Sequence, residues 1–173
     1  STEIVEDKLE LFTDFGARIN ELSGLRNFPF HAEVRIGADG YPVPIEINPL
    51  RFGAWCTTAD LTARALGINP YEYYFFQKRP DWDKLLSDDS GKLYSLVALN
   101  NTTGLSSDLI ESFDYDKLAS MFEKPLEVRK WDFRENPLFG FLVTETGRDN
   151  IEELEYILRS DLSEFVVPAD PDR

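Results

Sequence analysis

The sequence predicts an α+β fold, an antiparallel sheet with flanking helices, from three observations. A helix-period run opens the chain. Two alternating runs on either side of Asp39-Gly40 read as a β-hairpin. The remainder mixes short helical and strand-like segments. At 173 residues the chain has the length of one domain, or of one compact piece of a larger protein, and folding would bury roughly 70% of its unfolded surface.

Taken in order, Ile4, Val5, Leu9, Phe12, Phe15, Ile19 and Leu22 recur at helical spacing and predict an amphipathic helix over 3–23 with one buried face, stopped at Gly24. Residues 28–37 and 41–48 are rich in aromatic and β-branched types and predict two strands, with Pro42 and Pro44 drawing the second towards a sheet edge. Asp39-Gly40 predicts a two-residue type I′ turn between them, which needs positive φ at both central residues. Thr57 with Asp60 predicts a capped helix over 58–66 that stops at Gly67, and Pro70 opens a shorter aromatic helix over 71–78. Beyond it, 93–99, 126–131, 138–144 and 163–167 read as strands and 115–122 as a helix. Asn150 reads as the cap of a helix over 151–159, with Glu153 at the capping-box position. The acidic runs 111–116 and 152–155 read as solvated faces, and the aromatic cluster Tyr71, Tyr73, Tyr74, Phe75 and Phe76 as core or an interdomain surface.

Composition removes several classes of function. Eighteen basic against 32 acidic residues leave a net charge of −14. That excess disfavours binding to a nucleic-acid backbone or to anionic lipid, so neither nucleic acid nor membrane is an expected partner. No apolar stretch approaches the roughly 18 residues that span a bilayer. The chain starts at Ser1-Thr2-Glu3, which fits an excised piece or a processed terminus. The lone Cys56 makes no internal disulfide and fits a reducing, cytoplasmic setting; beside Trp55 it reads as buried filler. The lone His31 excludes a multi-histidine metal site. The available donors are carboxylates, amides and arginines, which suit Mg²⁺ rather than Zn²⁺.

A register follows from the hairpin. With Asp39 and Gly40 as the loop, Ile36 faces Val43 and Val34 faces Ile45 on an apolar face. On the other face Arg35 meets Pro44, Glu33 meets Glu46 and His31 meets Asn48. Two glutamates then stand opposite each other with Cβ atoms about 5 Å apart, which is destabilising unless a cation, a shared proton or neighbouring arginines compensate. Asn48 lies two residues past Glu46 and on the same side, so two carboxylates and an amide oxygen converge into a hard-oxygen site. Polar residues alternating on a hairpin are also what a plain solvated face looks like. Arg35 and His31 share that face. Arg35 reads as a phosphate contact or as an ion pair with a nearby carboxylate, and His31 as a substrate contact or as a hydrogen-bonded strand residue.

Residues 31–53, with Glu33, the Asp39-Gly40 turn, Glu46-Ile47-Asn48-Pro49 and Arg51, resemble the metal-binding hairpin of the ATP-grasp superfamily, to which D-alanine–D-alanine ligase, biotin carboxylase and glycinamide ribonucleotide synthetase belong. The flanking helices extend the resemblance to about 70 residues, by a rough count. The resemblance implies that 1–70 is the C-terminal portion of an ATP-grasp domain and that 71–173 is an α+β extension packed on it. It implies Glu33, Glu46 and Asn48 as Mg²⁺ ligands that hold the ATP phosphates, and Arg51 as a catalytic contact to phosphate or an acyl phosphate. Arg51 stands one place later than in the commoner Asn-Pro-Arg form, because Leu50 intervenes. The implied cofactors are ATP and Mg²⁺, and the implied partners are a small-molecule carboxylate substrate and a nucleophile. Residues 1–30 hold no glycine-rich loop and no set of phosphate-contacting lysines. The expectation is therefore a fragment of a carboxylate-activating ligase that is inactive alone. The alternatives are a non-catalytic binding or assembly module, or a pseudoenzyme that keeps the hairpin.

Overall fold

The computed structural model describes residues 2–53, 57–85, 87 and 91–170, with side chains from Asp7 onward. It is an α+β structure that divides into two compact units: residues 1–63 with 67–80, and residues 64–66 with 81–173. The first unit carries 7 basic and 11 acidic residues and the second 11 and 21, so most of the acid excess belongs to the second.

The first unit opens with helix α1 (Thr2–Ser23). Gly24 ends it at φ 69°, its N–H donating to the Asn20 carbonyl at 3.0 Å, the left-handed stop that a glycine makes without a Cβ penalty. Of the predicted buried face, the Ile4 and Val5 side chains lie outside the described residues, and the rest is only partly covered. Phe12, Phe15 and Ile19 are part-buried, whereas Leu9 and Leu22 are 58% and 82% exposed. Periodicity marks which side of a helix is apolar but not what covers it.

Strands β1 (Phe30–Ile36) and β2 (Pro42–Pro49) form the antiparallel hairpin. Its turn corrects the expected two-residue loop. Gly37 pairs with Tyr41 through a 3.0 Å N–H···O bond, and Gly40 donates to the Gly37 carbonyl at 3.0 Å. The loop is therefore Ala38-Asp39-Gly40, in which Gly40 alone takes positive φ, at 82°. A type I′ turn would need Asp39 there as well. Asp39 instead uses Oδ1 to accept from the Tyr41 N–H at 3.2 Å. The longer loop shifts the first pairs, so Ile36 faces Pro42, Arg35 faces Val43 and Val34 faces Pro44. The expected Ile36–Val43, Val34–Ile45 and Arg35–Pro44 pairs do not form. A β-bulge between Glu33 and Val34, with Ile45 as the extra residue, then absorbs the offset. Beyond it Glu33 faces Glu46, Ala32 faces Ile47 and His31 faces Asn48, as the sequence predicts. The apolar residues of β2 stay exposed: Val43 by 56%, Ile45 by 63% and Ile47 by 37%.

Helix α2 (Thr57–Leu66) ends at Gly67, φ 67°, whose N–H donates to the Ala63 carbonyl. Helix α3 (Pro70–Phe75) is capped by Asn69, which accepts from the Tyr71 N–H at 3.0 Å. It is shorter than the expected 71–78, because Gln77 turns to φ 51°. Its aromatic residues divide: Tyr71 packs edge-on against Phe52, while Phe75 and Phe76 are largely exposed rather than core.

The second unit begins with a short helix α4 (Trp82–Leu85), not anticipated from the sequence, and strand β3 (Lys92–Asn100). Strand β4 (Ile110–Phe113) lies inside the acidic run read as solvated, because its end residues are buried while Glu111 and Ser112 face out. Helix α5 (Tyr115–Ser120) follows, capped by Asp114, which accepts from the Lys117 N–H at 2.8 Å. Then come β5 (Pro125–Lys130), β6 (Leu138–Gly147), α6 (Glu152–Arg159) and β7 (Val166–Pro168). The strands make a three-stranded antiparallel sheet, ordered β3-β6-β5, and a β4-β7 pair. Asn150 does not cap α6. A 3₁₀ turn over Arg148–Asn150 precedes the helix, and the Asn150 amide donates to Glu123 and Glu153. Glu153 is tied inward as well, accepting from Thr146 Oγ1 and the Glu123 N–H.

The core sits in this second unit. Leu99, Ile110, Phe113, Leu118, Phe122, Phe139, Leu142, Leu154, Ile157, Leu162 and Phe165 form one cluster, with Phe113 stacked on Phe139 at 4.2 Å. Strand β6 is buried along most of its length, as the central strand of a covered sheet must be. At Gly140, φ 148°, the Arg129 carbonyl oxygen lies 2.0 Å from where a Cβ would stand, so only glycine fits this crossing.

Candidate metal and anion site

The hairpin end of the first unit gathers the residues singled out from the sequence. Cross-strand pairing sets Glu33 against Glu46 and His31 against Asn48, and the two-residue period puts all four on one face. Both glutamates are exposed, and Asn48 is part-buried. The bulge sits immediately beside the Glu33–Glu46 pair, where it holds the carboxylates in register against a loop one residue longer than a tight turn.

After β2 the chain turns sharply. Leu50 takes φ 62°, and its N–H donates to the Pro29 carbonyl at 2.7 Å. Arg51 follows that turn and is part-buried. Gly53, φ 82°, packs against the imidazole of His31: a Cβ there would stand 2.4 Å from His31 Cδ2 and 2.8 Å from Cγ. Arg35 is exposed on the Glu33 face and makes no ion pair among the described residues, so the expected salt bridge does not form. Cys56 and Trp55 lie outside the described residues.

Three buried side-chain nitrogens among the described residues have no hydrogen-bond partner: His31 Nδ1, Asn48 Nδ2 and Arg51 Nε. His31 and Asn48 are cross-strand partners at this end of the hairpin, and Arg51 follows β2 by two residues. Buried polar atoms are satisfied in the great majority of cases, so each of these three is a place where a water, an ion or a ligand is expected to bond.

The donor set suits a hard cation. Two facing carboxylates and an amide oxygen provide oxygen ligands, and Mg²⁺ takes one or two carboxylates while keeping positions for water and phosphate. Among the described residues no group of three or more His, Cys, Asp or Glu side chains converges; the Asn48 amide is the further oxygen donor on the Glu33–Glu46 face. Sequence reasoning placed Glu33 opposite Glu46 and His31 opposite Asn48 through the hairpin register, and the structure pairs them so. The same reasoning missed Gly53, whose signal is its position in a turn closing over a strand side chain.

Among the described residues no helix is long and apolar enough to cross a membrane. Residues 1–59 match the family model of the ATP-grasp domain. No curated protein and no solved structure matches the chain.

Proposed function

We propose, from the premise that residues 1–59 belong to the ATP-grasp family, that this chain is the metal-binding part of an ATP-dependent ligase. The family in general binds ATP and Mg²⁺. The observation that carries the reading is the Glu33–Glu46 pair, two carboxylates in direct register with Asn48 on the same face. Like charges so placed are unfavourable, and a divalent cation removes the penalty.

In this reading Glu33, Glu46 and Asn48 hold Mg²⁺, and Arg51 supports a phosphate oxygen. Bound there, the metal supplies charge neutralisation at the phosphates. Glu33 and Glu46 fix its position on a rigid ladder, and the bulge at Ile45 keeps them opposite. The substrate is a small-molecule carboxylate. Its oxygen would attack the terminal phosphate of ATP, breaking the bond to the β-phosphate and releasing ADP, to give an acyl phosphate; an amine or other nucleophile would then displace inorganic phosphate from the acyl carbon. No residue of the chain is assigned as base for the second step.

Replacing Glu46 by Gln in the complete enzyme should abolish Mg²⁺-ATP-dependent turnover while the melting temperature stays within a few degrees. A fully active variant sinks the metal assignment. The 173-residue chain by itself should bind nucleotide weakly and turn over none, because residues 1–30 bring no glycine-rich loop or phosphate-contacting lysines. ATP hydrolysis by the purified chain contradicts that. A second reading, a non-catalytic assembly module, draws on the exposed Val43 and Ile45 of β2. It predicts that Glu46→Gln changes nothing while Ile45→Asp abolishes association with a partner.

A further inference from the structure

The three-stranded sheet of the second unit has two outer strands, and they are finished differently. β5 is guarded. It opens on Pro125, bulges with Leu126 as an extra residue against Thr144 and Val143 of β6, and carries the charges of Glu127, Arg129 and Lys130. Proline, a bulge and charge are the devices that keep a sheet edge from pairing with another chain. β3 lacks them. Its run over 93–99 holds no proline and no charge, and the irregularity near its end takes its extra residue, Phe139, from β6. Lys92, its one charged residue, is tied to Glu145 of β6 at 3.5 Å.

The backbone shows which groups of β3 are left over. The Arg148 N–H donates to the Gly91 carbonyl at 3.2 Å, so in this register residues 93, 95, 97 and 99 turn their N–H and C=O groups towards β6. Past the irregularity the Asn101 N–H donates to the Pro137 carbonyl at 2.9 Å, which keeps the alternation. Lys92, Tyr94, Leu96, Ala98 and Asn100 therefore point theirs away from the sheet. β3 ends the sheet order, and among the described residues no turn, loop or cap bonds to the backbone of those five. Lys92, Ala98 and Asn100 are exposed, and Tyr94 and Leu96 are part-buried.

We propose that β3 pairs with β3 of a second copy of this chain, antiparallel about a two-fold axis at Leu96, so that the two sheets become one. The occupant follows from the strand itself. With the axis there, Lys92 faces Asn100 of the other copy, Tyr94 faces Ala98 and Leu96 faces its own copy. Every outward residue then meets an outward residue, and each pair closes two bonds, about ten in all. An axis at Ser95 would leave Asn100 unpaired, and one at Val97 would leave Lys92 unpaired. The side chains agree with the backbone: a large ring lies against a small alanine, leucine against leucine, and lysine against an amide rather than a second lysine. β3 has no acidic residue, so the acid excess of the chain is not set face to face on this ladder. Such an interface is isologous and closes at two copies.

Sedimentation velocity of the 173-residue chain should show a dimer that dissociates on dilution. Leu96→Lys sets two ammonium groups side by side on the axis. Leu96→Pro removes an N–H that faces away from β6, a position where an edge strand tolerates proline. Each should raise the dimer dissociation constant about tenfold or more while the far-UV circular dichroism is kept; either one serves if the other misfolds. Ile45→Asp, on the hairpin of the first unit, should leave the constant unchanged. A spin label at Asn100→Cys in a Cys56→Ala background reads the register. Asn100 of one copy faces Lys92 of the other, so the two labelled Cα atoms should stand about 27 Å apart. A chain that stays monomeric at sub-millimolar concentration overturns the proposal. So does a dimer that survives Leu96→Lys or is lost through Ile45→Asp, and so does a label separation far from that value.

Discussion

The two units of the chain are built on opposite terms. The second encloses a core of leucines, isoleucines and four phenylalanines around β6. The first buries only Gly53, Thr57, Ala59 and Ile68 among its described residues, and leaves Leu9, Leu22, Val43 and Ile45 more than half exposed. The second holds its polar groups in closed networks, such as Glu145 with Lys124, Tyr94 and Lys92. The first holds the three unpaired buried nitrogens. Stability and chemistry are thus divided. The orphaned buried nitrogens among the described residues all lie in the first unit, which carries the candidate site.

Four substitutions would break or sharpen that division. The largest effect belongs to Gly140→Ala. Its Cβ would lie 2.0 Å from a backbone oxygen that cannot retreat without parting β5 from β6, so denaturant titration should find about 4–5 kcal/mol lost, or no folded second unit. Phe139→Ala removes the fully buried ring stacked on Phe113 and should cost about 3–5 kcal/mol. Ile45→Ala, at a residue 63% exposed, should change stability by about 0.5 kcal/mol or less in the same assay. A large cost there would mean that the first unit has a core of its own after all.

The smallest effect is in the acid dependence of the second unit. The Lys124 hydrogen bond, aided by Tyr94 and against some desolvation, holds the Glu145 carboxyl below its ordinary range. The same bond raises Lys124 above its own. A lowered carboxyl pKa stabilises the fold above the unfolded-state pKa, and that contribution is lost as pH falls through the folded value. A raised lysine pKa stabilises below the unfolded-state value, and is lost as pH rises through the folded one. Acid titration of Glu145→Gln should show a shallower loss of stability below about pH 4.5 than the parent, a carboxylate's usual range. Identical acid curves would show that Glu145 is not the group responsible.

What was legible in the sequence follows the same line. The hairpin could be read because its signals are local: alternation and a Gly at the turn. Even so, the loop was misjudged by one residue. The Glu33–Glu46 pairing nevertheless emerged because the bulge at Ile45 cancels the longer loop. No pattern in the sequence announces such a bulge. Strand β4 was hidden because its two buried residues, Ile110 and Phe113, stand three apart with Glu111 and Ser112 exposed between them, a spacing that does not alternate. The order β3-β6-β5 depends on contacts distant along the chain, which periodicity does not report. The orphaned nitrogens were beyond reach for a similar reason, since enclosure of His31 is made by Gly53 arriving from another segment.

The central claim is that Glu33 and Glu46 share one divalent cation. Binding of Mn²⁺, as a stand-in for Mg²⁺, can be counted by electron paramagnetic resonance in the parent chain and in Glu33→Gln and Glu46→Gln. The account predicts one site in the parent and a loss of affinity of about tenfold or more in each variant, as expected when one of two carboxylate ligands is removed. Equal Mn²⁺ affinity in all three proteins would contradict it.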